Sequence, residues 1–335
     1  MKKCIVIPTH PPHFDYVKKL LNSIDKYNSD DEIADIFVIV SKEYKERIFI
    51  EEYKTIDILI LFIEDIIFKI FQNLDQTEEN IYSTKNLYKE CNNNYSYQSI
   101  KKILSVRYVT SYLYYDNVYV LDSEGLFIRP FSLNSIFSNY LSNKKIYFNS
   151  KPCSRLLKKR GRQCLLAKDI LNTKISVPGW LLENYLWIYE KNIVDDFFKL
   201  VFKNMYKVHD IHNIIKKGTF IELVYYHFIF INNSKYNYKF INTYEEIKKY
   251  VKKSEFKKIT TDKWYSLLED IRFGMNYCPS ITENMSKFFR DNNIINLKIK
   301  DDFEINLEFL KITESIILIN SGDFNLDFNI CLENE

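Results

Sequence analysis

The sequence predicts an α/β fold with a mainly parallel central sheet, plus a small α+β appendage at the C-terminal end. Three observations carry that prediction. Short continuous apolar runs, CIVI at 4–7, IADIFVIV at 33–40 and ILILFI at 58–63, read as strands buried on both faces. A segment of helical period stands between the first two, with Phe14, Val17, Leu20, Leu21 and Ile24 on one stripe. From about residue 259 the pattern changes to short helices followed by alternating runs. Strand and helix in alternation imply a parallel sheet. On this reading residues 1–258 form the main domain and 259–335 an appendage of unassigned role.

The elements follow in order. The first strand, 4–8, stops at Pro-Thr-His-Pro-Pro, and a helix covers 14–27 with Asp15 in its first turn. Residues 33–41 form a second strand, Lys42 to Tyr53 are helical in pattern, and 58–63 are a third strand. The Asn-rich stretch 72–96 reads as a surface segment. Tyr97 to Tyr114 is a helix with Ile100, Ile103, Leu104, Val106 and Val109 inward, while Gln98, Lys101, Lys102 and Arg107 supply polar faces. NVYVL at 117–121 is a fourth buried strand, and IYFN at 146–149 a short one. Residues 180–203 look helical, 220–231 are helix or strand, and 243–258 are a Lys-rich amphipathic helix. The tail has helical stretches at 264–273 and 283–291, then alternating runs at 303–309, 315–319 and 324–331.

Composition excludes several classes. The chain has 335 residues, 46% hydrophobic and 27% charged, enough apolar surface for a core and against disorder. With only 6 Gly and 7 Pro there is no GxGxxG and no GxxxxGK[ST] phosphate loop. A net charge of +3 is too small to argue for nucleic acid. The six cysteines include no CxxC pair, so the expectation is reduced thiols in a cytoplasmic protein. The apolar stretch after Met1 is too short for a signal peptide, and Ile56–Phe71 is broken by charges, so no membrane span is expected.

Chemistry concentrates where the fourth strand ends. Asp122 and Glu124 stand two residues apart at the edge where ligands bind in such sheets. Two carboxylates there suit a hard divalent cation, Mg²⁺ or Mn²⁺, which completes its sphere with phosphate oxygens and water. The plain alternative is an Asp capping its own turn with Glu124 in solvent. Glu222 is an acid inside an apolar stretch, FIELVYY at 220–226, and such surroundings raise a carboxyl toward the range of a general base; the plain alternative is a core-edge Glu paired with a Lys or Tyr. Asp210 and Glu183 are rival acids. Gln98 and Lys101 lie one turn apart on one helix face. The basic run Arg155, Lys158, Lys159, Arg160 and Arg162 is a loop closing on a diphosphate, an attraction to an anionic membrane surface, or a solvated loop. His10-x-x-His13 and His209-x-x-His212 lack a third metal ligand in sequence, and Trp180, Tyr185 and Trp187 are core or a sugar-stacking surface.

IVIPTH at 5–10, YQSIKKI at 97–103, YVLDSEGLFIRPF at 119–131 and, more weakly, IELVYY at 221–226 resemble the GT-A-type nucleotide-sugar glycosyltransferases of bacterial surface-polysaccharide (capsule or lipopolysaccharide) biosynthesis. The resemblance covers about residues 4–230, and Glu124 departs from the second Asp of that family's Asp-x-Asp. It implies a Rossmann-like GT-A fold and a hexosyltransferase-type enzyme using a nucleotide-sugar donor. The expected carrier is UDP, although the residues do not read the base. The implied acceptor is a saccharide or lipid-linked saccharide, with no nucleic-acid partner and a peripheral contact with the inner membrane surface. Pro8 and Thr9 would line the nucleotide pocket, Gln98 and Lys101 would face the nucleotide sugar, Arg129 would touch the diphosphate or cap the next turn, and Asp122 and Glu124 would hold the metal. A degenerate, non-catalytic saccharide- or nucleotide-binding module on the same fold is the alternative. A nucleotidyltransferase is weaker, because the Gly-rich entry loop is missing.

Overall fold

In the computed structural model of the chain the described residues are 1–48, 51–71, 94–150, 157–176, 178–183, 186–202, 220–259, 267–268, 282–299 and 313–321. The main-domain elements run β1 (Lys3–Pro8), α1 (Phe14–Tyr27), β2 (Ala34–Val40), β3 (Ile56–Phe62), α2 (Ile63–Ile70), α3 (Asn94–Ser111), β4 (Asn117–Val120), β5 (Gly125–Phe127), α4 (Leu133–Asn143), β6 (Lys145–Phe148), α5 (Leu157–Ile170), β7 (Trp187–Glu190), α6 (Lys191–Val201), α7 (Ile221–Ile231), α8 (Asn233–Tyr236), β8 (Lys239–Asn242), α9 (Thr243–Ile247) and α10 (Lys253–Ile259). The tail adds α11 (Thr282–Asp291), β9 (Asn296–Ile299) and β10 (Leu318–Ser321).

The central sheet has the order β3-β2-β1-β4-β7. The first four strands are parallel, and β7 closes the edge antiparallel to β4. The α/β class with a mainly parallel sheet therefore stands. β1 is central because Cys4, Ile5, Val6 and Ile7 are all buried, as a strand covered on both faces requires. Each fully buried aliphatic side chain of this kind contributes roughly 1.5–3 kcal/mol of transfer free energy. Strand order reverses between β1 and β4, since β2 follows β1 on one side and β4 joins on the other. The crevice beyond the carboxyl ends of those two strands is where an open α/β sheet takes ligands.

A second sheet, β5-β10-β9, ties the tail to the main domain through the antiparallel pair Phe127–Leu318. A second apolar cluster joins Ile128, Tyr147, Ile247, Val251 and Phe256 to Met285, Phe288, Phe289 and Leu297, on both sides of position 258. β6 and β8 form a two-stranded parallel sheet.

Several sequence expectations need correction. The segment 180–203 is not one helix. Trp187–Glu190 is a strand, paired with β4, and the helix begins at Lys191. Edge pairing of an aromatic and β-branched run overrides its helical period. Among the described residues of the 42–53 stretch, only Lys42–Arg47 is helical, as a 3-10 segment. The Lys-rich helix is split into α9 and α10. Among the described residues no helix is long and apolar enough to cross a membrane. Asp210, His209, His212, Tyr185, Arg155, the runs 303–309 and 324–331, and the side chains of Lys158, Lys159 and Arg160 lie outside the described residues.

Candidate active site

The site is built on the crevice between β1 and β4. After β1 the chain turns through Thr9 and His10 into the 3-10 segment Pro11–His13. Thr9 is buried, and its N–H donates to Ile39 of β2 at 2.9 Å. After β4 a turn runs from Asp122 to Gly125, closed by the Gly125 N–H on the main-chain oxygen of Asp122 at 2.9 Å. The Asp122 side chain turns inward, with Oδ1 2.9 Å from Lys102 Nζ.

Lys102 comes from α3 and is 7% exposed. Its ammonium also lies 2.8 Å from Glu222 Oε1 and 3.9 Å from the centre of the Trp187 ring. Burial pulls the Lys102 ammonium down, but Asp122 and Glu222 outweigh it and hold the group above the ordinary lysine value. Glu222, in the first turn of α7, is 2% exposed, and its Oε2 has no hydrogen-bond partner among the described residues. The sequence leaves Glu222 as a general base or as a core-edge acid paired with a Lys or Tyr. The structure gives it a buried counter-ion from a different helix.

Lys101 points to the other strand. Its Nζ donates to the Thr9 carbonyl at 2.6 Å and sits 4.7 Å from the centre of the Tyr97 ring. Burial lowers Lys101 to about 8, against the opposing pull of Glu64 and Glu43. Tyr97 in turn shares a 2.7 Å hydrogen bond with Ser41, at the carboxyl end of β2. Gln98 is half-buried one turn before Lys101.

On the outer side of the turn, His13 Nδ1 lies 2.9 Å from Ser123 Oγ and 3.4 Å from Glu124 Oε1. The His10 and His13 rings lie with centres 4.0 Å apart, tilted by 37° to each other. Burial, then His10, push His13 down to about 4 despite Asp122, and burial also lowers His10. Both rings are therefore neutral at pH 7. Asp122 and Glu222 thus face Lys102, Glu124 faces His13, and Lys101 faces the Thr9 carbonyl.

The carboxylates fit a hard cation in one way. Among the described residues no three His, Cys, Asp or Glu side chains gather as a metal site. Asp122 and Glu124 keep side-chain exposures of 15% and 22%, so both reach solvent at the crevice. A cation held there would take its remaining ligands from phosphate and water, as Mg²⁺ does.

The structure thus gathers Thr9, Lys101, Asp122, Glu124 and Glu222 around one crevice. Arg129 is engaged elsewhere: its guanidinium donates to the Thr313 and Ile316 carbonyls of the tail, the first at 3.3 Å. Glu183 caps main chain, accepting from the Leu267 and Leu268 N–H groups at 3.0–3.2 Å. Trp187 lies under Lys102, whereas Trp180 meets Phe220 edge to face. Sequence reasoning missed Lys102, His13, Tyr97 and Ser41 as members of the cluster. One signal was available for Lys102. Apolar positions spread over more than one stripe of α3, so two adjacent lysines cannot both reach solvent.

No protein-family model and no curated protein matches the chain. Among solved structures it is similar to mouse xyloside xylosyltransferase 1 in the apo form, with a TM-score of 0.39 and 8% identity over 72% of this chain and 85% of that one. It is also similar to the apo structure of the WbbM bifunctional glycosyltransferase, with a TM-score of 0.33 and 12% identity over 65% of this chain, spanning 38% of that one.

Proposed function

We propose that the chain is a GT-A-type glycosyltransferase that moves a sugar from a nucleotide-diphosphate sugar to a saccharide or lipid-linked saccharide acceptor. One observation carries the reading. At the point where strand order reverses, Asp122 and Glu124 share a crevice with the ammonium groups of Lys101 and Lys102 and the buried carboxylate of Glu222. A diphosphate needs positive charge and a cation bridge, and an incoming hydroxyl needs an acceptor for its proton.

Asp122 and Glu124 would hold Mg²⁺ or Mn²⁺, whose chemistry is neutralising charge on a diphosphate leaving group. Lys101 binds the diphosphate from the β1 side, and the Thr9 and Tyr97 surroundings orient its ammonium. The bond between the sugar's anomeric carbon and the phosphate oxygen breaks, and the electron pair leaves with the nucleoside diphosphate. The acceptor oxygen forms the new bond to that carbon. Glu222 Oε2 takes the hydroxyl proton if configuration inverts, and retention needs no such base. UDP as the carrier, a bacterial surface polysaccharide as the product and a peripheral contact with the membrane belong to the same proposal, and so does Asp210 as a second acid.

The test is a thermal-shift screen of nucleotides and nucleotide sugars, each with and without Mn²⁺, on the wild type and on Asp122→Ala. A ligand that binds only the native state raises the melting temperature. The expected result is a metal-dependent rise with one nucleoside diphosphate that is lost in Asp122→Ala. A rise with saccharides and none with any nucleotide would replace this reading with the non-catalytic binding module.

A further inference from the structure

We propose that Lys102 is a positioning residue that couples cation binding at Asp122 to the placement of Glu222, so that the acceptor-side carboxylate is set only when the donor side is charged. The inference rests on the glycosyl-transfer reading of the site. A single ammonium serves both carboxylates, 2.9 Å from Asp122 Oδ1 and 2.8 Å from Glu222 Oε1. It has little room to leave, because Lys102 is buried and the Trp187 ring lies 3.9 Å beneath it. The three side chains come from the turn after β4, from α3 and from α7, so the ammonium links separate elements.

Charge fixes the direction of coupling. A divalent cation at Asp122 repels the ammonium and competes for Oδ1, which leaves Lys102 to Glu222 and Trp187. Neutralising Glu222 does the reverse, giving Lys102 wholly to Asp122 and opposing the cation. Coupling between sites is reciprocal, so whatever Glu222 does to cation affinity, the cation does to Glu222. Oε1 is held by Lys102, and Oε2 is a buried acceptor with no hydrogen-bond partner among the described residues; on the transfer reading it is the oxygen assigned to the substrate hydroxyl. Lys102 need touch neither substrate to act in this way.

The test uses Mn²⁺ alone as probe, with bound metal read by electron paramagnetic resonance and by water-proton relaxation. Four full-length proteins are compared: wild type, Lys102→Met, Glu222→Gln and the double variant. Glu222→Gln should weaken Mn²⁺ binding about tenfold when Lys102 is present and less than about threefold in the Lys102→Met background, a non-additivity within the usual range of site coupling. In that background no ammonium joins Glu222 to Asp122, so the amide changes the cation site little. Lys102→Arg, which keeps the charge, should restore the dependence on Glu222. A wholly structural role for Lys102 would leave the effect of Glu222→Gln equal in both backgrounds, and that result overturns the proposal. Absence of Mn²⁺ binding in all four overturns it together with the metal site, whereas the nucleotide screen judges the transferase reading by itself.

A second measurement needs no unpaired carboxylate. In the wild type labelled with ¹⁵N at lysine, the Lys102 ammonium signal is assigned by its loss in Lys102→Arg. It should move on addition of Mg²⁺, and an unmoved signal at saturating Mg²⁺ also overturns the proposal.

Discussion

Replacing Lys102 by Met tests whether the buried ammonium holds the site together. Its Nζ lies 2.8 and 2.9 Å from two carboxylate oxygens. At an effective dielectric constant of about 20 each contact has a gross attraction of about 6 kcal/mol. Desolvation of the three groups offsets most of that. What decides the effect is the state left behind. Asp122, at 15% side-chain exposure, can recruit water, but Glu222, at 3%, cannot. Removing one partner of a buried pair costs about 3–5 kcal/mol, because the other charge stays uncompensated. A typical domain has only about 5–15 kcal/mol of stability, so the loss is a large share. Adding Glu222→Gln replaces the stranded carboxylate by a neutral amide and should return about 2 kcal/mol. The assay is urea denaturation at pH 7, with midpoint and slope both fitted so that a change in stability is separated from a change in exposed surface. The expected order of stability is wild type, then the double variant, then Lys102→Met. A double variant less stable than Lys102→Met would refute the argument that Lys102 is the counter-ion of Glu222.

Three further outcomes follow from the same geometry. His13 is held neutral, with a folded value near 4 against 6.5, chiefly by burial. The unfolded chain therefore binds the proton first, and the contribution is complete above about pH 6.5 and lost as pH falls toward 4, a difference of up to about 3 kcal/mol; wild type and His13→Gln should diverge over that window in denaturation curves, and parallel curves would contradict it. Lys101 is lowered to about 8 by burial. Its charge is lost as pH rises through 8, so pyrophosphate-induced thermal shifts should fade there, less so in Lys101→Arg, while the same group's contribution to folding stability rises between about pH 8 and 10.5. Arg129→Met removes the guanidinium from the Thr313 and Ile316 carbonyls, so it should cost about 1–3 kcal/mol and speed protease cleavage near residue 313 with the nucleotide-induced shift retained. A lost nucleotide shift in a stable Arg129→Met protein would return Arg129 to the diphosphate.

Which parts of this site were legible depends on whether one element or several determine them. β1, β2, β3 and β4 could be read because a strand buried on both faces needs a continuous apolar run, a local property. The place of Asp122 and Glu124 just beyond β4 could be read for the same reason, since the end of a strand fixes where the next residues stand. β7 could not, because WIYE becomes a strand only by pairing with β4, some seventy residues earlier. Arg129 was misread in the same manner: its neighbours in sequence pointed to the crevice, but its hydrogen-bond partners lie in a tail nearly two hundred residues away. Lys102 is the sharpest case. As a lysine in a helix it reads as a solvated charge, and next to Lys101 it looks redundant. Only the approach of β4 and α7 makes one lysine bind the Thr9 carbonyl and the other bridge two acids. Burial without those acids would have cost several kcal/mol. The lysine at 102 is therefore tolerable only because Asp122 and Glu222 are both present, and the buried Glu222 has that lysine as its counter-ion. The interdependence explains why single-residue reasoning found Asp122 and Glu222 as separate candidates and did not see that they share one charge.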